Sequence, residues 1–173
     1  MTAPCPIETE RKFLIHMPTI DTLRAMPHYE VSAIEQIYLS APAGTTHRIR
    51  RRTYEGRTVC TETVKRRINA TQAYEDECEI DEAEFEEKRA LRDASRHVIY
   101  KNRHTFIYKN QLFEVDIYPF WTHQCVVETE LSDQNEQPPW PSCLVLLREV
   151  SGNRAYSNAA LSKCIPPEDE GAV

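Results

Sequence analysis

Charged side chains recur at every second position through much of this chain, and their types are those that handle metal ions and phosphate. Glu8, Glu10 and Lys12 alternate in IETERKFLI, Arg48 and Arg50 in THRIRRRTYEG, Thr63 and Lys65 in RTVCTETVKRR, and Lys101 and Arg103 in YKNR. The acids follow the same rule: Glu75, Glu77 and Glu79 in AYEDECEID, Glu114 and Asp116 in FEVDIY, Glu128 and Glu130 in VETEL. Carboxylates at i and i+2 of a strand point to one side and can offer oxygens to a hard cation such as Mg²⁺ or Mn²⁺. Arginines and lysines on facing strands can grip phosphate oxygens, arginine in bidentate fashion. Both signs aimed into one cavity would suit a metal–polyphosphate complex. The same period equally fits a sheet with one solvated, polar face.

A period of two demands strands, and the rest of the sequence supplies them. Runs around Glu55-Gly56 and around Lys109-Asn110 read as hairpins, and IEQIYLS (34–40) as a further strand. DEAEFEEKRALRDA (81–94) is the best helix, with Asp81 and Glu84 forming a capping box over a thin apolar stripe. Residues 19–32 suit a short helix or an irregular connection, and a second helix is expected near 155–163. One domain is expected over residues 1–165, followed by a frayed polar tail at 166–173.

The helices are too few and too polar to cover so many strands. Closing the sheet would remove its edges and let the charged combs line a wet interior. That interior must hold water, metal or an anion, because unpaired buried charge is very costly. The expectation is therefore an all-β-dominated α+β fold: a closed eight-stranded antiparallel barrel with a few peripheral helices.

Composition narrows the function classes. The 173 residues include 27 acids and 21 bases, a formal charge of −6, which speaks against a broad nucleic-acid-binding surface. No apolar run reaches the roughly 18 residues of a membrane span, and the first residues lack a signal peptide's apolar stretch, so a cytoplasmic protein is expected. The cysteines lack paired spacing and are expected as free thiols; the histidines lack the spacing of zinc ligands.

Taken in order, these segments resemble the CYTH-domain proteins, the triphosphate tunnel metalloenzymes. IETERKFLI is similar to their opening ExExK signature, EQIYL to a Q-x-Y-L strand (Gln36, Tyr38), HRIRR to R-x-R, TVK to T-x-K and YKNR to K-x-R. VETEL matches a late E-x-E, and REVSGNRAYSNAAL the closing segment, so the likeness runs through roughly residues 7 to 163. Two stretches depart: Ala73-Tyr74-Glu75-Asp76-Glu77 lacks the arginine of R-x-E-x-E, and Tyr118-Pro119-Phe120 replaces F-x-G.

The resemblance implies a polar tunnel, a divalent cation and hydrolysis or cyclisation at a triphosphate. It implies Glu8, Glu10, Glu128 and Glu130 as metal ligands, joined by Glu77 and Asp116. Asp116 and Glu114 have the alternatives of orienting the bases or a metal-bound water, or of making a structural ion pair. Lys12, Arg48, Arg50, Lys65 and Arg103 become the phosphate clamp, with pairing to nearby acids as the competing role. Lys101 and Tyr38 become either a pair that positions water, or a further phosphate ligand and a half-buried barrel tyrosine. The implied reaction is metal-dependent hydrolysis of the terminal phosphoanhydride of inorganic tripolyphosphate to pyrophosphate and phosphate. Alternatives are a nucleoside or thiamine triphosphatase, or a class IV type adenylate cyclase making cyclic AMP and pyrophosphate. The expected partner is a triphosphate-bearing small molecule, with neither nucleic acid polymer nor membrane, and with a homodimer left open.

Overall fold

The computed structural model describes residues 9–67, 73–131 and 136–172. In chain order the elements are β1 (Thr9–His16), α1 (Ile20–Arg24), β2 (Glu30–Leu39), β3 (Thr45–Tyr54), β4 (Arg57–Arg67) and β5 (Ala73–Ile80). There follow α2 (Glu82–Arg89), β6 (Ile99–Tyr108), β7 (Gln111–Ile117), β8 (Gln124–Leu131), β9 (Leu146–Glu149) and α3 (Asn158–Leu161). Local signals account for most boundaries. Glu55 and Gly56 both have positive φ (47° and 74°), as do Lys109 and Asn110 (48° and 64°), the backbone a tight two-residue hairpin needs. The Asp81 carboxylate accepts the Glu84 amide at 2.8 Å and starts α2, which stops at Arg89, short of the expected end.

The expected closed barrel does not form. The strands make one open sheet of nine, in the order β5-β4-β3-β2-β6-β7-β8-β1-β9. The ninth strand is β9, which pairs antiparallel along β1 from Phe13 to Ile15 and so occupies the edge that closure would have used. This sheet protects its edges by means other than closure. β5 is lined by exposed Glu75, Asp76, Glu77 and Glu79, and β9 is only four residues long and carries Arg148 and Glu149. Charge on one edge strand and shortness of the other discourage pairing with another chain just as closure does.

The chain divides into two compact units. The first comprises Met1–Val31, Arg103–Asn153 and Pro167–Val173. Its apolar core gathers Phe13, Ile15, Leu23, Phe106, Phe113, Val115, Cys125, Val127 and Leu144. Trp140 packs edge-on to Phe13 and Phe113 and donates its indole N–H to the Leu144 carbonyl at 2.8 Å. The tail belongs to this unit and is docked, against expectation. Glu168 accepts the amides of Thr122 and His123, and the Asp169 amide donates to Gln124 Oε1 at 2.7 Å. Two adjacent amides outside any strand make a seat for a carboxylate, and hydropathy alone does not reveal it.

The second unit comprises Ser32–Asn102 and Arg154–Pro166. Ile37, Leu39, Ile49, Cys60 and Ile80 pack on Phe85 of α2. Around Phe85 the polar helix is fixed by ions: Arg51 lies 4.6 Å above the ring and bridges Glu35 and Glu86, Lys88 reaches Glu62 at 2.7 Å, and Arg89 pairs with Glu35. A thin stripe suffices because charged stems cover the remainder of the contact. Cys60, Cys78, Cys125, Cys143 and Cys164 are free thiols. Among the described residues no helix is long and apolar enough to cross a membrane.

Candidate active site

In the first unit the charged positions converge around Arg103. Strand register sets this up: Lys12 lies opposite Glu128, Glu10 opposite Glu130, and Glu114 opposite Glu128 on the other side of β8. Like charges directly opposed on neighbouring strands repel unless a cation compensates. Arg103 is that cation for the inner pair. It grips Asp116 in bidentate fashion, Nε and Nη2 each at 2.7 Å, and also meets Glu114 and, at 2.9 Å, Glu128. Asp116 is fully buried. Burial alone would lower the guanidinium's pKa, but the three carboxylates outweigh it and raise it well above the ordinary arginine value. Lys12 completes the cluster, with Nζ 2.7 Å from Glu128 and 3.4 Å from Glu10. Its burial is likewise outweighed by Glu128 and Glu10, so its ammonium is held charged.

Among the described residues no three Asp, Glu, His or Cys side chains converge as a preformed metal cage. Glu8 lies outside the described residues. The donor chemistry nevertheless suits a hard divalent cation. Glu10, 54% exposed in its side chain, and the exposed Glu130 face one another across β1 and β8 with carboxylate oxygens only.

In the second unit the comb is looser. Arg48, Thr63 and Glu77 lie in one cross-strand row over β3, β4 and β5; Arg50, Thr61 and Glu79 form the next row, and Lys65 and Glu75 pair in a third. Glu77, which the resemblance implied as a metal ligand, pairs here with the arginines, and so does Glu75. The ion pairs are long: Arg48 to Glu75 and to Glu77, 3.8 Å each, and Arg50 to Glu77, 3.5 Å. Lys65 meets Glu75 at 3.0 Å, and Thr63 donates to Glu77 at 2.7 Å. Among the described residues the buried Nε of Arg48 has no hydrogen-bond partner. Arg52, on the same parity but near the hairpin end, is exposed and bonds Ser32.

Tyr38 lies opposite Arg48 on β2 and is 3% exposed. Its hydroxyl oxygen accepts from Gln36 Nε2 at 2.6 Å. Burial raises the phenol's pKa, against the smaller lowering by Arg48, Gln36 and Arg96, so it stays protonated through neutral pH. Lys101 is buried on β6 in the same unit. Sequence reading passed over Arg96, whose guanidinium carbon sits 4.9 Å from the Tyr38 ring centroid. Its only sequence signal is the spacing to Asp93, which it meets three positions back.

The antiparallel sheet and the order of acids and bases along its strands agree with the resemblance to the CYTH-domain, triphosphate-tunnel class. The chain is similar to the solved inorganic triphosphatase NE1496, with 26% identity and a TM-score of 0.62 over 96% of this chain and 99% of that one. A protein from Pyrococcus horikoshii, PH1819, shares the fold at 19% identity and a TM-score of 0.53, over 75% of this chain and 81% of its own. So does an adenylyl cyclase candidate from Hippeastrum with a dominant triphosphatase activity, at 15% identity and a TM-score of 0.50, over 72% and 80%. No protein-family model matches the chain, and no curated protein does.

Proposed function

We infer that this chain is a divalent-metal-dependent triphosphatase that hydrolyses the terminal phosphoanhydride of inorganic tripolyphosphate to pyrophosphate and phosphate. The observation that carries the reading is the likeness to an inorganic triphosphatase over 96% of this chain and 99% of that one. The ordered acid and base strands support it. Arg48, Arg50 and Lys65 bind the phosphate chain, exchanging long, part-exposed pairs with Glu75 and Glu77 for charge-assisted bonds to phosphate oxygens. Glu10, Glu128 and Glu130 hold the cation, with Glu8 as the remaining acid of the opening motif. Bound Mg²⁺ or Mn²⁺ would neutralise charge on the phosphate oxygens. Arg103 holds Asp116, Glu114 and Glu128 in place and so orients the acidic group. Lys101 and Tyr38 position the attacking water; a phenol kept protonated by burial serves as a donor and not as a base.

Product chromatography tests this. With purified protein and Mg²⁺ or Mn²⁺, tripolyphosphate should release orthophosphate faster than ATP or thiamine triphosphate does, and EDTA should stop the reaction. Cyclic AMP as the main product from ATP would replace the hydrolase reading with a cyclase. A strong preference for thiamine triphosphate would keep the chemistry and change the substrate.

A further inference from the structure

Arg96 stands outside every motif noted in the sequence, yet it is among the most constrained cations of the second unit. Its Nη1 donates to the Ala159 carbonyl of α3 at 2.9 Å and to Oγ of Ser162, the residue that caps α3, at 3.1 Å. Its Nε reaches Asp93 Oδ2 at 3.2 Å, and that carboxylate is itself held by the Ser95 hydroxyl and amide. The Asp93 amide in turn donates to the Tyr38 carbonyl at 2.9 Å. A guanidinium fixed on two sides therefore lies across the Tyr38 ring, whose π face attracts a cation. The other groups on that phenol are Gln36 of its own strand and Arg48 of β3.

We propose that Arg96 is a positioning residue for Tyr38: anchored to Asp93 and to the end of α3, its guanidinium plane sets the attitude of the ring and so the direction of the hydroxyl between Gln36 and Arg48. An end-on ammonium cannot do the same, because it lacks the planar fork that meets a carboxylate on one edge, a carbonyl on another and an aromatic face. The three anchors also explain why a cation is tolerated on a side chain largely shielded from water: Nε and Nη1 both have acceptors. The proposal rests on the reading of Tyr38 as part of the water-positioning pair, and the test separates the two.

Arg96→Gln should lower kcat on tripolyphosphate about tenfold and leave KM within about twofold, the signature of an interaction made in the transition state. Arg96→Lys should recover only part of the loss. In a Tyr38→Phe background, Arg96→Gln should cost nothing further; an equal loss in both backgrounds would overturn the proposal. A second arm needs no turnover. In protein with ¹³C-labelled tyrosine rings, the signal missing from Tyr38→Phe identifies Tyr38. In Arg96→Gln that signal should shift and its phenol should ionise at higher pH, because a neighbouring cation has been removed. An unmoved signal and an unmoved titration would overturn the proposal whatever the kinetics. If Arg96→Gln fails to melt cooperatively, Arg96→Lys carries the kinetic arm and the signal shift, its ammonium keeping the charge and so leaving the titration in place. Full activity of Tyr38→Phe would sink the water-positioning reading and leave the spectroscopic arm to decide the role of Arg96.

Discussion

The two units use the same residue types in opposite ways. In the first, one arginine is sunk among three carboxylates at hydrogen-bonding distances, and its best partner, Asp116, is fully buried. In the second, Arg48 and Arg50, their side chains about a quarter exposed, meet the more exposed Glu75 and Glu77 across 3.5–3.8 Å. A buried, bidentate network is costly to break and holds its members in one geometry. Long pairs in contact with water contribute roughly 0–1 kcal/mol and are readily exchanged for another anion. Equal sequence patterns thus divide into a group that is prearranged and a group that is available. Strong pairs fix the geometry of a charged comb, whereas weak pairs leave its charges open to exchange for those of a ligand.

The largest effect should come from breaking the scaffold. Arg103→Met removes the counter-charge of Asp116, Glu114 and Glu128 and should destabilise the protein by about 3–5 kcal/mol, the scale for stranding buried charge. Urea unfolding measures it, and a loss under about 1 kcal/mol would show that the cluster is held by something other than Arg103. Next in size is turnover. Glu10→Gln and Glu130→Gln should each cut kcat roughly 10²-fold, as when an electrostatic contributor to the transition state is lost, with the melting temperature nearly unchanged or raised. Full turnover at saturating substrate in both would remove these acids from the metal set.

Arg50→Ala should sharpen the contrast from the other side. It should raise KM for every polyphosphate tested while shifting unfolding free energy by less than about 1 kcal/mol. A stability loss comparable with that of Arg103→Met would erase the distinction between the units. The smallest expected effect is a pH dependence at the margin of the first unit. Glu149 accepts two bonds from Arg11, at 2.7 and 2.8 Å, and this pairing lowers its pKa below the usual carboxylate value. A folded-state value depressed below the unfolded one adds stability above the ordinary value of about 4.3, and that stability is lost as pH falls through the folded-state value. Chemical denaturation of the parent and of Arg11→Met should therefore differ slightly at pH 6, and the gap should narrow as pH falls below the ordinary carboxylate value; a gap that widens with acid would be inconsistent with the pairing.

Much of this molecule is written locally. Alternation of side chains marks the strands and which residues share a face, so Arg48, Arg50, Thr63, Lys65, Glu75 and Glu77 are legible as one set from the sequence. Residues tolerant of positive φ place the hairpins at Glu55-Gly56 and Lys109-Asn110, and a capping aspartate places the start of α2. These signals have a range of a few residues, within which the backbone and its nearest side chains decide the outcome. What depends on partners far along the chain is not legible. Whether the sheet closes turns on β9 reaching back to β1, more than a hundred residues away. Whether a polar tail frays turns on two amides, at Thr122 and His123, that lie outside the strands and take Glu168 as acceptor. Whether Arg103 serves a ligand or a scaffold turns on register, because one pairing of β7 with β8 puts Glu114 against Glu128 and makes a cation between them indispensable. Arg96 is the extreme case: nothing adjacent to it in sequence points to Tyr38, and only the docking of α3 and the Asp93 turn against β2 lays its guanidinium on that ring. Periodicity specifies a face, whereas the energy of a charge on that face depends on what tertiary packing sets within a few ångströms of it.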